Sequence, residues 1–131
     1  MPNDLERLQG TWTVTSFEMD GQSMDSGAVD GAHIVIKKDA FKSVGMGSTY
    51  EGVVEIDETK KPKSFDLKFT KGPEKGNRNL GIYKLDDDVW TICLATRGEK
   101  RPRKFATDAG SGIALEILER GRPSKAKAKP R

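Results

Sequence analysis

Apolar and polar residues alternate along most of the chain after its first ten positions. The clearest case is residues 64–70, where Phe65, Leu67 and Phe69 are separated by polar residues, as in a strand with one buried face. Similar runs are separated by short segments rich in Gly, Asp and Pro, which favour turns. Together these runs predict strands at residues 11–19, 33–38, 41–46, 50–57, 64–70, 80–85, 89–95, 104–107 and 113–120.

The first ten residues have a helical period instead. Leu5 and Leu8 lie three positions apart, Asn3 or Asp4 can cap a helix, and Gly10 can end it. We therefore predict one short helix before the first strand.

The connections between the predicted strands are only a few residues long. None of them can contain the helix that a parallel crossover needs, so the strands must form an antiparallel meander. A long meander resolves its exposed edges by closing into a barrel or by stacking as a sandwich. The sequence therefore predicts a single all-β domain over residues 1–120, with one small helix.

The last predicted strand has apolar residues on both faces. Ile113, Leu115 and Ile117 alternate with Ala114 and Leu118, so the pattern does not select the face that points into the core. An apolar outer face here implies a partner subunit or a covering segment.

Composition excludes several classes of protein. With 131 residues the chain is typical of one domain. It has no apolar run of roughly 20 residues and no apolar core of a signal peptide, so we expect no membrane insertion and a cytoplasmic location. The single cysteine, Cys93, and the single histidine, His33, exclude an intramolecular disulfide and metal sites with several such ligands. We predict no metal site and no cofactor.

The formal net charge of +3 is unevenly distributed. From Arg120 to the end there are six cations and no acid, so the first 119 residues carry a net charge of −3. Residues 121–131 have two prolines and no large apolar residue, which predicts a disordered basic tail. Such a tail is a solubilising terminus or a weak tether to nucleic acid, and we expect no other contact with nucleic acid.

The start of the first predicted strand resembles the opening of lipocalins and their calycin relatives. It contains Gly10-Thr11-Trp12, the Gly-x-Trp of that family, directly after the predicted helix. In the family this Trp packs at the closed end of the barrel beneath an Arg of the final strand, a position that Arg120 matches. An Arg can stack on an indole while it donates to backbone carbonyls. The resemblance implies an antiparallel up-and-down lipocalin-like β-barrel of eight or nine strands, closed by Trp12 and Arg120.

A second resemblance covers almost the whole predicted domain. Its motifs are Lys61-Pro62-Lys63-Ser64-Phe65-Asp66-Leu67, Gly81-Ile82-Tyr83, Cys93, Arg101-Pro102 with Phe105, and Glu119-Arg120. In this order they are similar to a family of small planctomycete-type bacterial domains of uncharacterised function. The chain differs from lipocalins in its shorter length and in lacking their disulfide and their C-terminal helix.

The candidate catalytic residues are few. His33 and Cys93 both lie in apolar predicted strands, which is typical of packing rather than nucleophilic catalysis. Asp66 and Glu116 each lie opposite apolar neighbours in a strand. If both pointed into the barrel, one could stay protonated for general acid–base work, but alternation places most acids outside. The sequence therefore favours a protein that is not an enzyme.

Three functions follow from this fold. The first is a binding module whose interior holds an apolar or amphipathic small molecule, oriented by Tyr83, Arg103 or Glu116. The second is a structural or interaction domain whose barrel is filled by its own side chains. The third is an acid–base or aspartic-type hydrolase that uses interior carboxylates such as Asp66. A barrel of about eight strands can be filled or hold one small ligand, so strand number does not separate the first two.

Overall fold

The alternating segments form strands in the computed structural model, which describes residues 4–19, 21–24, 31–45, 48–72, 75–96, 100–107 and 112–120. Within these ranges there are one short helix, α1 (Asp4–Arg7), and nine strands. The strands are β1 (Gly10–Met19), β2 (Gln22–Ser23), β3 (His33–Lys37), β4 (Ala40–Gly45), β5 (Ser48–Asp57), β6 (Lys63–Lys71), β7 (Arg78–Asp86), β8 (Val89–Ala95) and β9 (Ile113–Arg120). The predicted basic tail, 121–131, lies outside the described residues.

The strands form one antiparallel sheet that closes on itself. Each strand from β3 to β8 pairs with the next one along the chain, and β1 pairs with both β3 and β9. Eight strands make the closed barrel, and the two-residue β2 pairs with the end of β1. The predicted all-β, up-and-down barrel with one short helix is confirmed.

Strand β1 closes the barrel because it pairs with two strands, β3 and β9. Its first part, residues 10–13, pairs with β3, while residues 12–19 pair with β9. The register with β9 shifts between Val14 and Ser16, which is a β-bulge. A bulge bends a strand and increases its twist, so β1 can turn from one neighbour toward the other.

One end of the barrel is filled by large side chains. Trp12 and Trp90 are fully buried with ring centroids 5.4 Å apart, and Trp90 meets Phe65 edge-on at 5.3 Å. Leu8, which follows α1, is also fully buried beside them. Burial of large aromatic side chains contributes most to a small core, so this end is the packed part of the interior.

The predicted strand at residues 104–107 is wrong. Residues 100–107 instead run across the outer face of β8 as an irregular segment, which we call the strap. The thiol of Cys93 on β8 donates to the carbonyls of Lys104 (3.4 Å) and Ala106 (3.7 Å), and Cys93 is 0% exposed. The part of the outer face of β8 around Cys93 is therefore covered by the chain itself rather than left to solvent.

The N-terminal helix is shorter than predicted. It covers four residues, and Asp4 is its first residue rather than a cap before it. Strand β2 was not predicted from the sequence because two polar residues carry no alternation signal. No helix among the described residues has the length and apolar character needed to cross a membrane.

Candidate functional site

The other end of the barrel interior is hollow. A cavity of about 490 Å³ lies there, lined by side chains from all eight barrel strands. The space exists because several inward positions carry small residues, whereas Trp12 and its neighbours fill the opposite end. The small residues on the cavity wall are Ser43, Gly45, Thr96 and Ala114.

The cavity wall is mainly aromatic and aliphatic. Four rings line it: Phe17, Phe41, Tyr50 and Phe69. Phe69 makes edge-on contacts with Phe41 and Tyr50, at centroid distances of 5.6 and 5.8 Å. These contacts hold the rings in place, so one wall of the cavity is a rigid aromatic surface.

Glu116 is the only acidic residue among the described residues that line the cavity. It lies on β9 with Phe17 of β1 on one side and Ile92 of β8 on the other. Burial raises the pKa of Glu116 to about 7, because the charged carboxylate loses water and gains no partner among the described residues. Near neutral pH this carboxyl group can therefore both accept and release a proton.

Tyr83 faces the interior and packs against Phe65 of the filled end. Its hydroxyl donates to Oδ2 of Asp4 at 2.7 Å, and Lys63 Nζ donates to the same oxygen at 2.8 Å. Burial would raise the pKa of Asp4, but the hydrogen bonds from Lys63 and Tyr83 lower it below its usual value. Burial and the neighbouring Asp4 raise the pKa of Tyr83. Tyr83 thus anchors α1 to the barrel and does not line the cavity.

The pair of interior carboxylates that the hydrolase alternative requires, Asp66 and Glu116, is not formed. Asp66 lies on the outer face of β6, since Phe65 and Leu67 on either side of it belong to the interior core. There it forms an ion pair with Arg101 of the strap, whose guanidinium also donates to the Gly81 carbonyl at 2.8 Å. The two carboxyl groups lie on opposite sides of the barrel wall, which removes the geometry for shared acid–base work.

Arg103 also lies outside the barrel. It lines a surface cleft of about 920 Å³ between the strap and the turn before β6. The cleft is larger than the interior cavity but is strongly cationic; its charged lining residues are Lys60, Lys61, Lys100, Arg101 and Arg103. The three predicted ligand contacts therefore occupy three different places, and of these only Glu116 lines the interior cavity.

Trp12 and Arg120 lie together at the filled end. The guanidinium of Arg120 is centred 4.3 Å from the Trp12 ring and donates to the carbonyls of Gln9 (2.9 Å) and Arg7. The indole N–H of Trp12 donates to the Leu8 carbonyl at 2.8 Å. These contacts tie the segment after α1 to β1 and β9.

The polar residues of the cavity wall other than Glu116 were not predicted from the sequence, and Asn79 and Tyr50 are the larger of them. Their positions had a signal: Tyr50 shares its strand face with the buried Val54, and Asn79 is two residues before Gly81 on β7. A two-residue period extended to the strand ends identifies both.

Comparison with known proteins adds no further constraint. No protein-family model matches the chain, and no curated protein and no solved structure is significantly similar to it.

Proposed function

We propose that this protein binds a small, largely apolar molecule in the interior cavity. The observation that carries the proposal is the uneven filling of the barrel: large side chains occupy one end, and about 490 Å³ stays open at the other. Ligand pockets have volumes of roughly 300–1,000 Å³ and mainly apolar walls with a few polar groups. The cavity has these properties.

Apolar burial supplies part of the affinity. A ligand that buries about 200 Å² of apolar surface gains about 5 kcal/mol, at about 25 cal/mol per Å². Loss of translational and rotational freedom offsets much of this gain. Tight binding therefore needs a polar contact as well, and Glu116, Asn79 and Tyr50 are among the groups that can provide it.

The resemblance to lipocalins supports the same proposal, whereas the planctomycete-type domains have no characterised function to compare. The lipocalin likeness implies a barrel that is closed at the end with Trp12 and receives a ligand at the other. The hydrolase alternative is not proposed, because Asp66 and Glu116 do not share a space. The filled-barrel alternative applies to one end of the interior only.

A cavity-filling variant tests the proposal. The probe is N-phenyl-1-naphthylamine, which is neutral near pH 7 and fluoresces more strongly in apolar surroundings. We expect the protein to bind it, and Ala114→Phe, which places a ring in the cavity, to weaken binding by about tenfold or more. Ala40→Phe, the same change at an exposed position of β4, serves as the control and should bind normally.

Circular dichroism and the thermal midpoint establish whether each variant is folded. If Ala114→Phe does not fold, Ala114→Leu takes its place with a smaller expected loss of affinity. Absence of probe binding by the parent protein, or equal binding by both Phe variants, would contradict the proposal.

A further inference from the structure

We propose that the ligand carries a protonated amine and that the carboxylate of Glu116 pairs with it inside the cavity. This inference rests on the proposed function and names the class of ligand. It concerns small primary or secondary amines with an apolar body, in preference to alcohols or carboxylic acids of the same shape.

Glu116 faces no basic residue among the described residues that line the cavity. The residues across from it on both neighbouring strands, Phe17 and Ile92, are apolar. Among the described residues that line the cavity, Tyr50 is the only other titratable one, and none is Lys, Arg or His. On β1, the nearby Glu18 binds Thr107 of the strap. The carboxylate thus lacks a counter-ion that the described part of the protein could supply.

The cavity wall favours a positive charge on the ligand over a negative one. An aromatic ring attracts a cation to its face. Phe17 lies directly across from Glu116 on β1, and Phe41, Tyr50 and Phe69 line the same cavity. A carboxylate and several rings together stabilise an ammonium group. An anionic headgroup finds no basic partner there among the described residues and is repelled by Glu116.

Binding of an ammonium group should release a proton from Glu116. Below about pH 7 the free protein holds a proton on Glu116, because burial raises the pKa of this group. When an ammonium group binds, the ion pair favours the carboxylate, so the proton leaves to the buffer and the ammonium keeps its own protons. A neutral alcohol does not favour the carboxylate over the protonated carboxyl group, so its binding releases no proton.

The experiment compares decylamine with decan-1-ol, which have the same alkyl chain. Each displaces N-phenyl-1-naphthylamine from the protein at pH 8, where the amine is protonated and Glu116 is mostly ionised. We expect decylamine to bind about tenfold or more tightly than decan-1-ol, as for one charge-assisted hydrogen bond. Decanoate should bind more weakly than the alcohol.

Two variants with the same change in net charge locate the effect. Glu116→Gln keeps the shape of the side chain and should bind the amine and the alcohol equally. Glu51→Gln, on the outer face of β5, should keep the full preference for the amine. Calorimetry at pH 6 in buffers of different ionisation enthalpy should detect proton release with decylamine, but none with decan-1-ol or with Glu116→Gln.

The outcomes separate this inference from the function on which it rests. If decan-1-ol displaces the probe but decylamine is no better, or if Glu116→Gln keeps the preference, the amine assignment is wrong and the binding function stands. If neither compound nor the probe binds the parent protein, both proposals fail.

Discussion

The environment of Glu116 raises its pKa because the carboxyl group leaves water without gaining a partner from the part of the chain that the structure describes. Residue type alone does not decide which side of the barrel wall an acidic residue occupies. Asp66 and Glu116 have the same signal in the sequence, an acid between two apolar neighbours. One nonetheless lies outside in an ion pair with Arg101, and the other faces the cavity.

The raised pKa of Glu116 makes stability depend on pH. The folded protein keeps this proton up to about pH 7, whereas the unfolded chain loses it near pH 4.5, so folding is favoured most below pH 4.5. As pH rises from 4.5 to 7 the free energy of unfolding falls, by up to about 3 kcal/mol, and it stays low above pH 7.

Glu116→Gln should remove the fall in the free energy of unfolding between pH 4.5 and 7. We expect the variant to be more stable than the parent protein at pH 8, by up to about 3 kcal/mol, and similar to it at pH 4. Urea unfolding at the two pH values measures the difference, with Glu51→Gln as the control. A Gln variant that is less stable than the parent protein at pH 8 would count against a desolvated carboxyl with no partner among the described residues.

At the scale of elements, the strap decides how β8 is covered. It is held at one end by Arg101, which contacts Asp66 and Gly81, and at the other by Thr107, which donates to Glu18. It lies over Cys93, where burial raises the pKa of the thiol. Segments that close over a surface through a few polar contacts open locally more easily than the strands beneath them.

Loosening the strap should expose the thiol. Because Cys93 is the only cysteine of the chain, its reaction with a disulfide reagent under native conditions reports openings that expose this thiol, including opening of the strap that covers it. We expect Arg101→Met to raise the reaction rate about tenfold, as for loss of one charged hydrogen-bonding group. Lys100→Met, an exposed neighbour, should react like the parent protein, and equal rates in both variants would show that Arg101 is not an anchor.

At the scale of the whole molecule, one end of the barrel is packed and stabilises the fold, whereas the other end contains the cavity. Trp12 is fully buried and joins β1 to Trp90, to Arg120 and to the segment after α1. Few side chains fill the opposite end, so its cavity lowers the packing that stabilises the fold. A barrel with one filled end tolerates such a cavity because the two ends share the same closed sheet.

Trp12→Ala should therefore be severely destabilising. Removal of a buried aromatic side chain costs about 3–5 kcal/mol, and here it also leaves Arg120 without its ring. Chemical denaturation and the thermal midpoint measure this loss. Val89→Ala, at a position that is 37% exposed, should change the stability little. A thermal midpoint of Trp12→Ala close to that of the parent protein would contradict a structural plug.

The sequence by itself determined the class of fold and its connectivity. Alternation over a few residues reports a strand, and a short connection permits only an antiparallel neighbour, so both properties are local and can be read without coordinates. The strands β1 and β3 to β9 were predicted within a few residues of their ends for this reason.

Only the tertiary structure decided which face of each strand is inside and how full the interior is. The inward face depends on pairing with strands that are distant in sequence, as at β9, where Ala114 and Glu116 line the cavity and Leu115 does not. A shift of one residue in that pairing would reverse every side chain. The cavity likewise depends on the combined size of residues from eight strands, a quantity that no single segment of the sequence contains.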